Sequence, residues 1–215
     1  MRLRLSFNLT DYQPVLLVNF LFVLLVIVLV VYTKLFGSSV GALFLPPLTL
    51  PEPAYGFLTR TFQLLCSVPT IVCAFSFALL KAINPRGKNN FFIFCSAFLT
   101  GGFLINEIFR IHIYLLVFGG IPKIVTSLVY GLIALGYGLA FRRNIKLTPY
   151  VLLLTGMGLL FVGIIFDSFK LHGDGLPNLL EGIPKLFSEI NIALYYWYVC
   201  YGEIQRSLTF QRRII

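Results

Sequence analysis

The side chains in this 215-residue chain that can hold a proton, a metal ion or a charged ligand are few: eight carboxylates, two histidines and seventeen lysines and arginines. Three stretches concentrate those with reach for chemistry. Asn106-Glu107-Ile108-Phe109-Arg110-Ile111-His112 packs four polar groups into a length that would be two helical turns. Asp167 follows a long apolar run. Glu181, Lys185 and Glu189 recur at intervals of four, so a continuous helix stacks them on one face, with Ser188 beside them. If helix also continues through the first stretch, Glu107 shares a face with Arg110, and Phe109 with His112.

The candidate polar cluster is therefore Glu107, Arg110, His112, Asp167, Glu181, Lys185 and Glu189. Within it, Glu107, His112, Asp167 and Glu181 have the donor atoms to ligate a divalent metal ion, the one cofactor the sequence brings into view. Catalytic zinc sites are rich in histidine. One histidine among carboxylates suits manganese or another oxygen-preferring ion better. His172, beside Gly173, Asp174 and Gly175, reads as a loop residue.

The elements that must position these groups follow from composition. The chain is 58% hydrophobic and 12% charged, about half the charged share of a soluble domain. Its apolar residues come in blocks of about 20, the length that crosses a hydrocarbon core of about 30 Å, and each block must be helical to satisfy its own backbone groups. The expected fold is an all-α polytopic membrane helix bundle, a single integral domain over residues 1–215. Its six spans cover approximately residues 14–36, 61–83, 91–110, 122–141, 149–170 and 180–203. Pro69 is expected to kink the second span, and Pro122 and Pro149 suit the first turns of the fourth and fifth. The first apolar run is too long for a signal peptide and lacks a small-residue cleavage site after it, so it reads as a retained span. Residues 37–59, with four prolines among apolar residues, read as an extended segment on the outer membrane surface.

Charge placement tests the layout independently. Arg2 and Arg4, then Lys81, Arg86 and Lys88, then Arg142, Arg143 and Lys146, then Arg206, Arg212 and Arg213 cluster on one side of the six spans. Lys34, Arg60, Arg110, Lys123, Lys170 and Lys185 are scattered singly on the other. The clustered side is cytoplasmic by the positive-inside rule, with both chain ends there. Six of the eight carboxylates and both histidines then fall in the outer half, leaving Asp11 and Glu203 on the inner side. Ionisable groups within spans are costly and tend to face one another or water, so the outer helix ends are expected to converge on a polar pocket.

Smaller features carry structural expectations. Ala97-xxx-Gly101 and Ala134-xxx-Gly138 offer small-residue helix contacts. Tyr195, Tyr196, Trp197, Tyr198 and Tyr201 fit interface anchors. Cys66, Cys73, Cys95 and Cys200 all lie in apolar blocks without metal-site spacing and read as small hydrophobes.

In order, the polar residues resemble a family of uncharacterised bacterial, largely cyanobacterial, multi-pass membrane proteins. Its members carry a span of roughly D-D-x-F-x-x-H-E, a later span ending in Asp, and a last span opening with an acid and a lysine. Asn106, Glu107, Phe109, His112 and Ile113, then Asp167, then Glu181 and Lys185 occupy those positions over roughly residues 90–205. Asn106 and Ile113 replace two of the family's acids. The set also has a limited similarity to alkaline-ceramidase-like membrane hydrolases, which bind zinc through histidines and an aspartate; the paired histidines of that group are not present here.

Three function classes follow. The first is a membrane scaffold or assembly partner whose outer charges serve packing or a membrane-protein partner. The second is a metal-dependent hydrolase acting on lipid at the outer leaflet, with Glu107, His112, Asp167 and Glu181 around a metal-activated water. The third is a small proton-coupled transporter using Glu107 and Asp167. The lipid bilayer is the common partner, in the plasma (inner) membrane or a thylakoid. The net charge of +9 sits in short membrane-orienting clusters, which argues against nucleic acid. There is no phosphate-binding loop, serine-hydrolase elbow, dinucleotide fingerprint or haem-attachment motif.

Overall fold

Long apolar runs with few helix breakers become long helices. The computed structural model describes residues 13–36, 39–44, 54–87, 89–168 and 175–212. Among them are α1 (Gln13–Leu35), a 3-10 turn (Val40–Leu43), α2 (Phe57–Ile83), α3 (Asn90–Phe109), α4 (Ile111–Gly119), α5 (Lys123–Ala140), α6 (Arg142–Ile145), α7 (Tyr150–Ser168) and α8 (Leu176–Arg212), with no strand. Four helices are long and apolar enough to cross a membrane: α1, α2, α3 and Tyr150–Asp167 of α7. The apolar part of α5, Ile124–Ala140, is shorter, at the lower limit of about 17 residues for a span. The helix boundaries follow the expected prolines: α5 starts directly after Pro122 and α7 directly after Pro149. Pro69 and Pro184 lie inside helices that continue through them.

The described residues fall into two compact units. Cys66–Tyr150 and the stretch from Ala193 onward form one; residues up to Leu65 and Val151–Ile192 form the other. In the first unit, α3 and α5 run antiparallel. Ser96 Oγ meets Tyr137 OH at 2.6 Å, and the ring of Phe103 meets that of Tyr130 edge-on at 6.5 Å. Phe92 stacks on Tyr137, and Phe141 packs against both rings. Gly101 faces Thr70 of α2, where an added Cβ would make ordinary contact at 3.4 Å; beside Gly138 a Cβ would meet nothing within 4 Å. The glycine of the first small-residue pair therefore faces a neighbouring helix, and that of the second faces open space.

The tyrosine-rich stretch of α8 divides. Trp197 and Tyr201 are more than half exposed, as interface anchors would be, but Tyr195 and Tyr196 are buried. Tyr195 OH lies 3.1 Å from Thr148 Oγ1, and Tyr196 is hydrogen-bonded to Tyr137. A buried phenol needs such a partner, so these two rings belong to the interior. Cys73 and Cys200 are buried together with sulfurs 4.0 Å apart.

In the second unit, α7 and α8 approach at backbone distance. A Cβ on Gly156 would lie 3.1 Å from the Ser188 carbonyl and 2.8 Å from Ile192 Cγ1. One on Gly163 would lie 3.1 Å from the Glu181 carbonyl and 2.7 Å from Lys185 Cγ. These glycines are seven residues apart, two helical turns, so they present one bare stripe to α8. Asn191 of α8 donates to Asn19 of α1 at 3.2 Å and to its own Phe187 carbonyl. The 3-10 turn, expected to lie extended on the membrane surface, is instead buried. Leu43 is fully inaccessible, Gly41 touches Asn178, and the Phe44 ring covers Gly182. Backbone and side-chain bonds from Gly56 to Ala42 and from Thr59 to Phe44 fasten it to the start of α2. Pro46, Pro47, Glu52 and Pro53 lie outside the described residues.

Candidate functional site

The candidate residues divide between the two units. Glu107, Arg110 and His112 belong to the first; Asp167, Glu181, Lys185 and Glu189 belong to the second. Each group has its own geometry.

In the first group the helix does not continue as expected. Arg110 takes a left-handed backbone conformation (φ 49, ψ 44), ending α3 at Phe109 and starting α4 at Ile111. It is the sole non-glycine residue with positive φ among the described residues. That conformation costs an L-residue about 1–2 kcal/mol. The break interrupts the continuous helix on which Glu107 was expected to share a face with Arg110, and Phe109 with His112. The next reversal, at Gly120 (φ 62), uses a residue with no such penalty.

Asn106, where the resembling family has an acid, is buried, and its amide donates to Glu107 Oε1 at 3.2 Å. The Asn106 Oδ1 atom and the Thr126 hydroxyl are both buried with no hydrogen-bond partner. Seven residues along α3 from Ser96 to Phe103 match seven back along α5 from Tyr137 to Tyr130. The same register brings Thr126 level with Glu107. This end of the α3–α5 pair thus concentrates polar atoms in an otherwise apolar contact.

In the second group, Lys185 Nζ sits 2.5 Å from Glu181 Oε1 and 3.6 Å from Asp167 Oδ2. The i,i+4 pair was expected from the spacing on α8; the bond to Asp167 on α7 needs the close approach that Gly163 permits. All three side chains are one-fifth to one-third exposed, so the attraction is stronger than at an open surface and weaker than in a dry core. Glu189 and Ser188 are buried on the same helix, and the Ser188 hydroxyl has no hydrogen-bond partner.

Among the described residues, no three His, Cys, Asp or Glu side chains are grouped so that they could hold a metal ion. His172 and Asp174 lie outside those residues. Chemically, the second group is a cation shared by two carboxylates, which fixes helix against helix.

Residues 18–199 match the family described as a domain of unknown function, DUF8692. The chain belongs to this family. Membership agrees with the resemblance read from the polar residues in its coarse form, a family without an assigned activity. No curated protein and no solved structure matches the chain.

A second polar arrangement, unexpected from the sequence, lies in the first unit where α3, α6 and α8 meet. Asn144 donates to Asn89 Oδ1 at 3.0 Å, and Asn89 donates to Glu203 Oε2 at 2.9 Å. Arg206 closes on Glu203 Oε1 at 2.6 Å. Asn89 stands at the N-cap position of α3, yet its side chain caps nothing there. It reaches across to α8 instead. The available signal was Glu203 itself, the one carboxylate beside Arg206 at an end of the chain otherwise marked by basic clusters.

Proposed function

We propose that the chain is a bacterial multi-pass membrane protein with six spans and both ends in the cytoplasm, one membrane domain that serves as a scaffold or assembly partner in the plasma membrane or a thylakoid. The observation that carries the scaffold reading is the pairing of Lys185 with both Asp167 and Glu181. Groups neutralised by one another hold helices in register, which a scaffold requires. A catalyst or proton carrier needs such groups available to a ligand.

Six spans draw support from α5 and α8. Ile124–Ala140 is just long enough for a span. The residues of α8 that lower its apolar character, among them Ser188, Glu189, Asn191, Tyr195 and Tyr196, are buried, so they meet protein rather than lipid. A span shielded in this way needs no high hydropathy of its own. The alternating basic clusters support both ends in the cytoplasm, and the motif resemblance supports a bacterial origin.

Reporter fusions after residues 86, 146 and 212, and within residues 112–122 and 170–175, test the topology. The first three should report cytoplasm and the last two the opposite side. For the role, the full chain purified gently from its own membrane should bring down a membrane-protein partner in fixed ratio, and Lys185→Met should reduce that recovery. Near-stoichiometric metal in the wild type that disappears in Glu107→Gln/His112→Ala would sink the scaffold reading.

A further inference from the structure

The meeting point of α3, α6 and α8 in the first unit forms an open cavity of about 100 Å³, several times the roughly 30 Å³ a water molecule occupies in the liquid. Its polar lining is Asn89, Arg143, Asn144, Thr148, Glu203 and Arg206. Hydrogen bonds within the lining already engage its acceptors: Glu203 receives Arg206 on one oxygen and Asn89 on the other, and Asn89 receives Asn144. Thr148 is turned to the Ile145 carbonyl and Tyr195.

What remains in surplus is positive charge and N–H donors. Arg143 has no carboxylate within ion-pairing distance among the described residues. Arg206 has one nitrogen on Glu203, while a guanidinium carries five donors. Lys81, Arg86, Arg142 and Lys146 add charge nearby in sequence, and the Asn90 amide bonds the Asn84 carbonyl, tying the turn after α2 to the start of α3. Such a cavity takes a compact anion with several acceptor oxygens. Guanidinium forks match phosphate in a bidentate way, and basic pockets at helix ends lie at the depth of lipid headgroups.

We propose that this cavity binds a single phosphate group, carried by an anionic phospholipid headgroup or free in solution. Arg143 and Arg206 grip its oxygens, and the Asn89–Asn144–Glu203 chain fixes Arg206. The site is independent of the scaffold reading above.

The test uses the purified full chain in neutral detergent, with binding read by native mass spectrometry and by thermal stabilisation. The probes are phosphatidylglycerol, phosphatidylcholine and inorganic phosphate. Arg143→Gln removes a lining charge; Arg142→Gln removes the same charge from the neighbouring residue outside the lining. Phosphatidylglycerol is expected to bind the wild type and to bind Arg143→Gln about tenfold more weakly, with Arg142→Gln within about a factor of two of wild type.

Stabilisation by phosphatidylglycerol but not by inorganic phosphate, lost in Arg143→Gln, identifies the lipid as the source. Stabilisation by inorganic phosphate alone, lost in the same variant, identifies soluble phosphate. Equal weakening in the two arginine variants would mean diffuse attraction to the basic end and would overturn the proposal. So would equal binding of phosphatidylcholine, or no response to either phosphatidylglycerol or phosphate. Should Arg143→Gln fail to fold, Arg143→Lys serves in its place. It keeps the charge but loses the guanidinium fork, so binding must weaken relative to wild type and to Arg142→Lys, and unchanged binding overturns the idea.

Discussion

Replacing Gly163 by alanine inserts one methyl group where α7 and α8 touch. The added Cβ would sit 3.1 Å from the Glu181 carbonyl and 2.7 Å from Lys185 Cγ. The lysine stem can swing aside; the backbone carbonyl cannot, so the helices must part by a few tenths of an ångström. Overpacking of this kind costs about 1–3 kcal/mol. Gly158 supplies the control, because a Cβ there meets nothing within 4 Å on the same helix. Both substitutions gain the same intrinsic helix preference, up to about 1 kcal/mol, and that gain cancels in the comparison. At roughly 2–4 °C per kcal/mol for a chain of this size, Gly163→Ala should melt about 2–12 °C below Gly158→Ala. The assay is thermal unfolding of both variants in one detergent, followed by loss of the monodisperse peak in size-exclusion chromatography. Separation of the helices also weakens the Lys185–Asp167 contact, so the gap should narrow when Asp167→Asn is present in both backgrounds. Equal melting temperatures, or a more stable Gly163→Ala, would refute close backbone contact between α7 and α8.

Three further outcomes can be measured in the same way. Lys185→Met leaves Asp167 and Glu181 without their shared cation and should destabilise by about 1–3 kcal/mol, less than the 3–5 of a fully buried pair because the groups are partly exposed. The triple variant Asp167→Asn/Glu181→Gln/Lys185→Met should recover most of that loss; failure to recover would mean the ion pairs are not what Lys185 contributes. Arg110→Gly should exceed Arg110→Ala in stability by up to about 1 kcal/mol, since relief of the left-handed backbone penalty outweighs the extra chain entropy that glycine loses on folding, and a reversed order would place unbroken helix through Arg110. Ser96→Ala removes the oxygen that meets the Tyr137 hydroxyl at 2.6 Å while leaving its bond with Tyr196, and should cost about 0.5–1.5 kcal/mol; thermal unfolding should show a larger loss for Tyr137→Phe/Ser96→Ala, which also strips the buried Tyr196 hydroxyl.

The helices were legible in the sequence because apolar blocks of spanning length admit few other structures, and Pro122 and Pro149 announced two starts. The break at Arg110 was not. No glycine or proline marks it, and the left-handed turn there depends on tertiary surroundings that no local pattern reports. Helix periodicity read Glu181 and Lys185 correctly as neighbours, but the third member, Asp167, is brought in by Gly163, whose significance lies in what faces it. The same limit explains the tyrosines. A run of aromatic residues near a helix end looks like an interface belt, and only the opposing Thr148 and Tyr137 reveal that Tyr195 and Tyr196 are interior. The Asn89–Asn144–Glu203 chain joins three helices far apart in sequence, so spacing within any one of them is silent about it.

The inward-facing polarity of α8 bears on how the protein is made. A segment carrying Glu189, Asn191 and several tyrosines partitions poorly into lipid when presented alone, since a single carboxylate at the centre of a helix costs about 2.5–3.5 kcal/mol on insertion scales. The groups that cover those residues must already be present when α8 emerges, and α1 to α7 all precede it in synthesis. On the six-span reading proposed above, entry of α8 into the membrane is a packing event as much as a partitioning one, coupled to prior assembly of its neighbours. A lesion in α7 such as Gly163→Leu would show itself first as misplacement of the helix that follows.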